Sequence, residues 1–119
     1  MKAKLRQIAG LCLLALVAWG AGLAVKTWQA ERLGARIAAT AGPGDIVMLS
    51  SLTCVYCREA RQWFTAHEVR FHECFIEQDA TCADVYRSMM SPGTPTLLVR
   101  GQRQVGFDVR RIAKALEAG

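Results

Sequence analysis

Cys54 and Cys57 stand three positions apart in the stretch Ile46–Cys57, IVMLSSLTCVYC. Two thiols at that spacing, one helical turn apart, can close a disulfide with each other and reopen it. The apolar run Ile46–Leu49 reads as a buried strand and Ser50-Ser51 as the break after it. If the residues beyond Cys54 are helical, Cys54 lies at a helix N-terminus, facing unpaired N–H groups and the positive end of the helix dipole. Such a setting brings a thiol's pKa well below its ordinary range. The chemistry implied is thiol–disulfide exchange, with Cys54 as nucleophile and Cys57 as resolving thiol. Arg58 and Arg61 either add positive potential there or are solvated helix residues.

Three other uses of these cysteines compete. An inert staple is one, although so short a loop restricts the unfolded chain little. Zinc is another: Cys54, Cys57, Cys74, Cys82, His67 and His72 offer enough ligands, but the second cysteine pair has the wrong spacing for a ribbon or finger, and no metal is expected. A copper chaperone would need more Met or His near the dithiol. Cys74 falls near the end of a predicted strand and Cys82 early in the next predicted helix. A strand-to-helix turn brings such positions within the ~4.4–6.8 Å Cα spacing of a disulfide. A structural bridge is expected; a relay passing electrons to Cys54, or two buried thiols, are the alternatives. His67 and His72 receive no role.

The elements that must position these groups follow from periodicity. Asp45–Ser50 reads as a strand and Cys54–His67 as a helix with Tyr56, Ala60, Trp63 and Phe64 at helical intervals. Val69–Ile76 alternates as a second strand. Asp79 or Thr81 caps a helix running to about Met90. Ser91–Pro95 is a loop, Thr96–Arg100 a strand, Gly101-Gln102 a tight turn and Arg103–Phe107 its antiparallel partner. Asp108 caps a last helix with an apolar stripe of Val109, Ile112, Ala113 and Leu116. The order β-α-β-α-β-β-α gives an α/β fold, a small mixed sheet of four strands covered by helices.

Ahead of this lies a different kind of segment. Lys2, Lys4 and Arg6 precede Ile8–Val25, eighteen residues without a charge, and Lys26 ends the run. As a helix it spans about 27 Å, close to the ~30 Å of a bilayer's hydrocarbon core. The leading charges favour a cytoplasmic N-terminus. The expected organisation is a membrane anchor or signal over 1–26, a juxtamembrane helix or linker over 27–44, and a redox domain over 45–119. Uncleaved, the chain is a single-pass protein of the inner membrane facing the periplasm; cleaved after the small residues near Gly22 or Gly20, it is secreted there. Cys12 is read as an apolar membrane residue. The formal charge of +5 follows the same topology: four of the fifteen Lys and Arg flank the apolar run, leaving eleven against ten acids. The balance speaks for a membrane and against nucleic acid. Outside the cytoplasm, disulfides persist.

Cys54-Val55-Tyr56-Cys57, Thr94-Pro95 and Gly106-Phe107-Asp108 together resemble the thioredoxin superfamily and, within it, glutaredoxin. The first stretch is similar to the glutaredoxin Cys-Pro-Tyr-Cys site. The second resembles the cis-proline loop packed beside the dithiol, so a cis Thr94–Pro95 bond is expected, leaving the Thr94 backbone free to pair with an extended substrate. The third resembles the stretch that holds the γ-glutamyl end of glutathione. Val55 replaces the usual proline, Val105 replaces the first glycine of a Gly-Gly pair, and no lysine stands just ahead of Cys54. The resemblance implies a thiol–disulfide oxidoreductase with substrate contacts at Tyr56, Thr94, Pro95, Gly106, Phe107 and Asp108. It implies no tightly bound cofactor, with glutathione as a candidate reductant. Protein disulfides or an electron-donating thiol protein are the partners. Thr before the proline resembles reducing and isomerising members, which favours reductase. The reading of another class is a non-catalytic binding module for a partner protein or metal ion.

Overall fold

The structure, a computed structural model, describes residues 1–118; the C-terminal glycine, with which the expected 45–119 domain ends, lies outside them. Its contacts form two compact units, Met1–Arg32 and the chain from Leu33 onward. Helix α1 covers Lys2–Thr40. No proline stands between Lys26 and Gly42, and the helical assignment runs past the expected anchor boundary as far as Thr40, where the expected juxtamembrane segment continues to 44. In the first unit the leucines and valines of the uncharged run are exposed, Leu11, Leu14 and Val17 among them. The helix is long and apolar enough to cross a membrane. Beyond the run, the Thr27 hydroxyl donates back to the Ala24 carbonyl at 2.9 Å, and Arg32 stacks over Trp28 at 3.9 Å.

The second unit holds β1 (Ile46–Ser50), α2 (Val55–Ala66), β2 (His72–Phe75), α3 (Ala80–Ser88), β3 (Thr96–Val99), β4 (Gln102–Val105) and α4 (Val109–Ala118). The sheet order is β2-β1-β3-β4, with β1 parallel to β2 and antiparallel to β3, and β3 antiparallel to β4. This is the thioredoxin-like arrangement expected. One face of β1 and β3 presents Ile46, Met48, Leu97 and Val99, all fully buried. Ala60 and Phe64 of α2, and Ile112, Ala113 and Leu116 of α4, join them in one core. The period-2 strand pattern and the helical stripes thus meet as sequence periodicity requires.

Ile37 and Ala41 also belong to this core, and half-buried Leu33 packs against it. The folded unit therefore begins at Leu33 rather than at Asp45, because the last turns of α1 bury an apolar face that a linker would leave in water. Gly34 makes the approach close: a Cβ there would lie 2.2 Å from Cδ2 of His67. The connection to β1 is fastened by Asp45, whose carboxylate accepts the Gly42 N–H at 2.8 Å and pairs with Arg100 at 3.3 Å. The Gly42 bond first, and the Arg100 guanidinium after it, hold that carboxyl below its ordinary value of 3.8.

Element ends differ from expectation for local reasons. β2 starts at His72 because Val69 N–H bonds to the Phe64 carbonyl and Glu68 has φ 55°, so residues 68 and 69 close off α2 instead. The β3–β4 turn is Arg100-Gly101, with φ 48° and 80°, not Gly101-Gln102. Both central residues then have positive φ, as a type I′ hairpin requires. Gly106, at φ 82°, ends β4 before Phe107.

Candidate functional site

Ser51–Thr53 carries the chain from the end of β1 into α2. Cys54 is the cap of that helix, extended at φ −87° and ψ 111°, and its Sγ accepts the Cys57 N–H at 3.0 Å. A sulfur here takes the place of the usual Ser or Asp oxygen at an N-cap. An acceptor in this position is stabilised further when it becomes an anion, since the remaining first-turn N–H groups point the same way. Cys57, one turn on, is fully buried, whereas Cys54 is half-buried. The two are joined in a disulfide, with Cα atoms 5.2 Å apart. Of the pair, Cys54 alone is open to a reaction partner from solvent.

The Thr94–Pro95 peptide is cis. Its loop is fastened by the Thr96 hydroxyl, which donates to the Gly93 carbonyl at 2.7 Å and also meets the Ser91 hydroxyl. The Pro95 carbonyl accepts the Gly106 N–H at 2.8 Å, tying this loop to the end of β4. Tyr56, Thr94, Pro95, Gly106 and Phe107 are brought together around an open groove of about 280 Å³. That is near the lower end of ligand clefts, roughly 300–1,000 Å³. Asp108 is not among the lining residues; its Oδ1 accepts the Arg110 and Arg111 N–H groups at 3.0 and 3.1 Å and caps α4. Glu59 lines the groove as well, a residue the sequence reading left out.

On another side of Cys54 lies a polar recess of about 140 Å³, lined by Ser51, Leu52, Thr53, Cys54, Arg58 and Arg61. Arg61 is not a freely solvated helix residue. Its Nε and Nη2 fork onto the two oxygens of Glu73 at 2.6 and 2.9 Å. Glu73 also accepts the hydroxyl of fully buried Ser50 at 2.7 Å. The Glu73 carboxylate raises the Arg61 pKa above its ordinary value, so the guanidinium remains charged throughout. Among the described residues, Arg58 has no carboxylate partner, which makes it the cation with charge to spare beside the dithiol.

Cys74 of β2 and Cys82 of α3 form a second disulfide, with Cα atoms 6.1 Å apart. Glu73 and Glu59, which sequence reasoning missed, have no short-range motif. Glu73 meets Arg61 and Ser50 only because β2 pairs in parallel with β1, setting Met48 opposite Glu73 and Ser50 opposite Phe75.

Residues 46–104 match the family model described as Glutaredoxin. Among solved structures, the chain is similar to a methanoredoxin of Methanosarcina acetivorans, at 24% identity and a TM-score of 0.51, over 65% of this chain and 90% of that one. It is similar also to a glutaredoxin of Methanosarcina mazei, at 20% identity and a TM-score of 0.51, over 64% and 82% of the two chains. A buckwheat glutaredoxin–glutathione complex aligns at 15% identity and a TM-score of 0.51, over 76% and 89%. At these identities the likeness establishes the fold. No curated protein sequence matches the chain.

Proposed function

We propose that this chain, whose residues 46–104 match the glutaredoxin model and carry the Cys-x-x-Cys site of a thiol–disulfide oxidoreductase, is a membrane-tethered reductase of disulfides on the periplasmic side. The observation that carries the reading is the Cys54 sulfur at the cap of α2, accepting the Cys57 N–H while Cys57 is buried behind it. In the reduced protein the Cys54 thiolate attacks one sulfur of a substrate disulfide. A mixed disulfide forms and the other substrate sulfur leaves as a thiolate, taking up a proton. Cys57, losing its proton, then attacks Cys54 Sγ and releases the second substrate thiol. Two electrons have passed to the substrate, and the Cys54–Cys57 disulfide remains. A thiol donor returns them; the glutaredoxin family and the glutathione-bound buckwheat structure favour glutathione or an electron-donating thiol protein for this step.

Tyr56, Thr94, Pro95, Gly106 and Phe107 line the groove that receives the substrate segment. The tether is the uncharged run Ile8–Val25 within α1, preceded by three cations and no acid, a pattern that keeps the N-terminus in the cytoplasm.

Reduction of insulin by the full-length chain, purified in detergent with a thiol donor, tests the activity. Turnover that disappears in Cys54→Ser, and stalls as a trapped mixed disulfide in Cys57→Ser, supports it. No cysteine-dependent turnover above the thiol donor alone refutes it and leaves a binding module. Protease accessibility of the C-terminal domain in spheroplasts but not in intact inverted vesicles is the outcome expected for the orientation.

A further inference from the structure

The segment Ser51–Thr53 lies outside both strand and helix, yet it sets the direction in which Cys54 enters α2. The Ser51 carbonyl accepts the Cys54 N–H at 3.2 Å. Among the described residues, one side chain alone bonds to this segment, and it comes from twenty-five positions away, as measured at Leu52. Glu77 accepts the Ser51 hydroxyl on Oε1, and the Leu52 N–H lies 3.3 Å from each of its carboxylate oxygens.

Glu77 is itself firmly placed. Ile76 N–H donates to the Ser50 carbonyl at 3.0 Å, extending the β1–β2 pairing one residue past the strand. Gln78 and Asp79 N–H groups both bond to the Phe75 carbonyl at 3.0 Å. Asp79 caps α3 by accepting the Cys82 N–H at 3.0 Å, and the Cys74–Cys82 disulfide closes the loop from the other side. The second disulfide thus encircles the residue that grips the approach to the first.

We propose that Glu77, presented by the loop that Cys74–Cys82 closes, is a positioning residue for Cys54, fixing Ser51–Thr53 so that the Cys54 sulfur is held over the first turn of α2. The proposal rests on the reading of Cys54 as nucleophile. Charge points the other way. The Ser51 hydroxyl bond holds the Glu77 carboxyl below its ordinary value, so it is an anion at neutral pH. An anion on the segment that leads into Cys54 can only oppose formation of a thiolate there. Whatever benefit Glu77 brings must therefore come from geometry.

That separation defines the test, run on the full-length chain in detergent with insulin as the protein disulfide and iodoacetamide as the probe of the reduced enzyme. Glu77→Ala is expected to lower both kcat/KM and the Cys54 alkylation rate by about fivefold, the effect of losing one well-placed hydrogen-bonded contact. Glu77→Gln keeps an acceptor for the Ser51 hydroxyl and is expected to retain both rates within about twofold of wild type. Ser51→Ala is expected to lower the rates in the same direction and to add little to Glu77→Ala, which keeps the test in hand should that variant fold poorly. The proposal is overturned if Glu77→Ala lowers only the melting temperature, if Glu77→Gln falls as far as Glu77→Ala, or if Ser51→Ala is inert. Wild-type protein without cysteine-dependent turnover would instead refute the nucleophile reading on which it rests.

Discussion

Removing the guanidinium of Arg61 while keeping its stem, as Arg61→Met does, tests the polar brace beneath the dithiol. The side chain of Glu73 is 12% exposed and that of Arg61 37%. An exposed pair contributes about 0–1 kcal/mol. Breaking a buried pair on one side costs about 3–5 kcal/mol, because the other charge stays desolvated. The forked geometry and the sheltered carboxylate argue for the upper range, and solvent at Arg61 screens it downward, so a loss of about 2 kcal/mol follows. Urea unfolding followed by tryptophan fluorescence reads it, since Trp63 packs against the core. The double variant Arg61→Met/Glu73→Gln is expected to recover about half or more of the loss. Its amide leaves no bare charge and still accepts the Ser50 hydroxyl. A single-variant loss below about 0.5 kcal/mol, or a double variant no better than the single, would refute the assignment of a desolvated carboxylate.

Three further outcomes follow from other contacts. Gly34→Ala gains up to ~1 kcal/mol of helix propensity but sets a methyl 2.2 Å from His67, whose ring stacks on Trp63 at 4.2 Å; overpacking costs about 1–3 kcal/mol, so a lower melting temperature is expected, and a higher one contradicts the docking of α1 on α2. Replacing both Cys74 and Cys82 by Ser is expected to cost about 2–3 kcal/mol for so short a loop, measured by urea unfolding against the same protein with Cys54–Cys57 oxidised in both. Asp45 has a lowered native pKa, so its contribution is fully present above the ordinary aspartate value of 3.8 and is lost as pH falls through the lowered native value. Asp45→Asn should flatten that acid limb of the stability curve, and an unchanged limb would count against the Gly42 and Arg100 contacts.

What could be read from the chain was whatever its neighbours in sequence decide. The strand Ile46–Ser50, the break after it and the cap at Cys54 are set within a dozen residues, and the stripe of α4 within ten. The turn at Arg100-Gly101 slipped by one residue because alternation alone does not fix which residues take positive φ. The cap of α4 is equally local, since the Asp108 carboxylate reaches N–H groups only two and three residues further on. Glu73 and Glu77 were illegible for a different reason. Neither belongs to a short-range motif, and each finds its partners only once β2 lies alongside β1. The place of Ile37 and Ala41 in the core was hidden because they follow an apolar run, and helical periodicity alone does not say which residues pack against the strands.

The most direct measurement is the pH dependence of alkylation at each cysteine of the reduced full-length chain, resolved by mass spectrometry. The account predicts that Cys54 reacts far faster than Cys57, with its half-maximal rate at a pH clearly below the value of about 8.5 for an ordinary thiol. A Cys54 that titrates at about that ordinary value, and reacts no faster than Cys57, would contradict the claim that the start of α2 holds its sulfur as an anion.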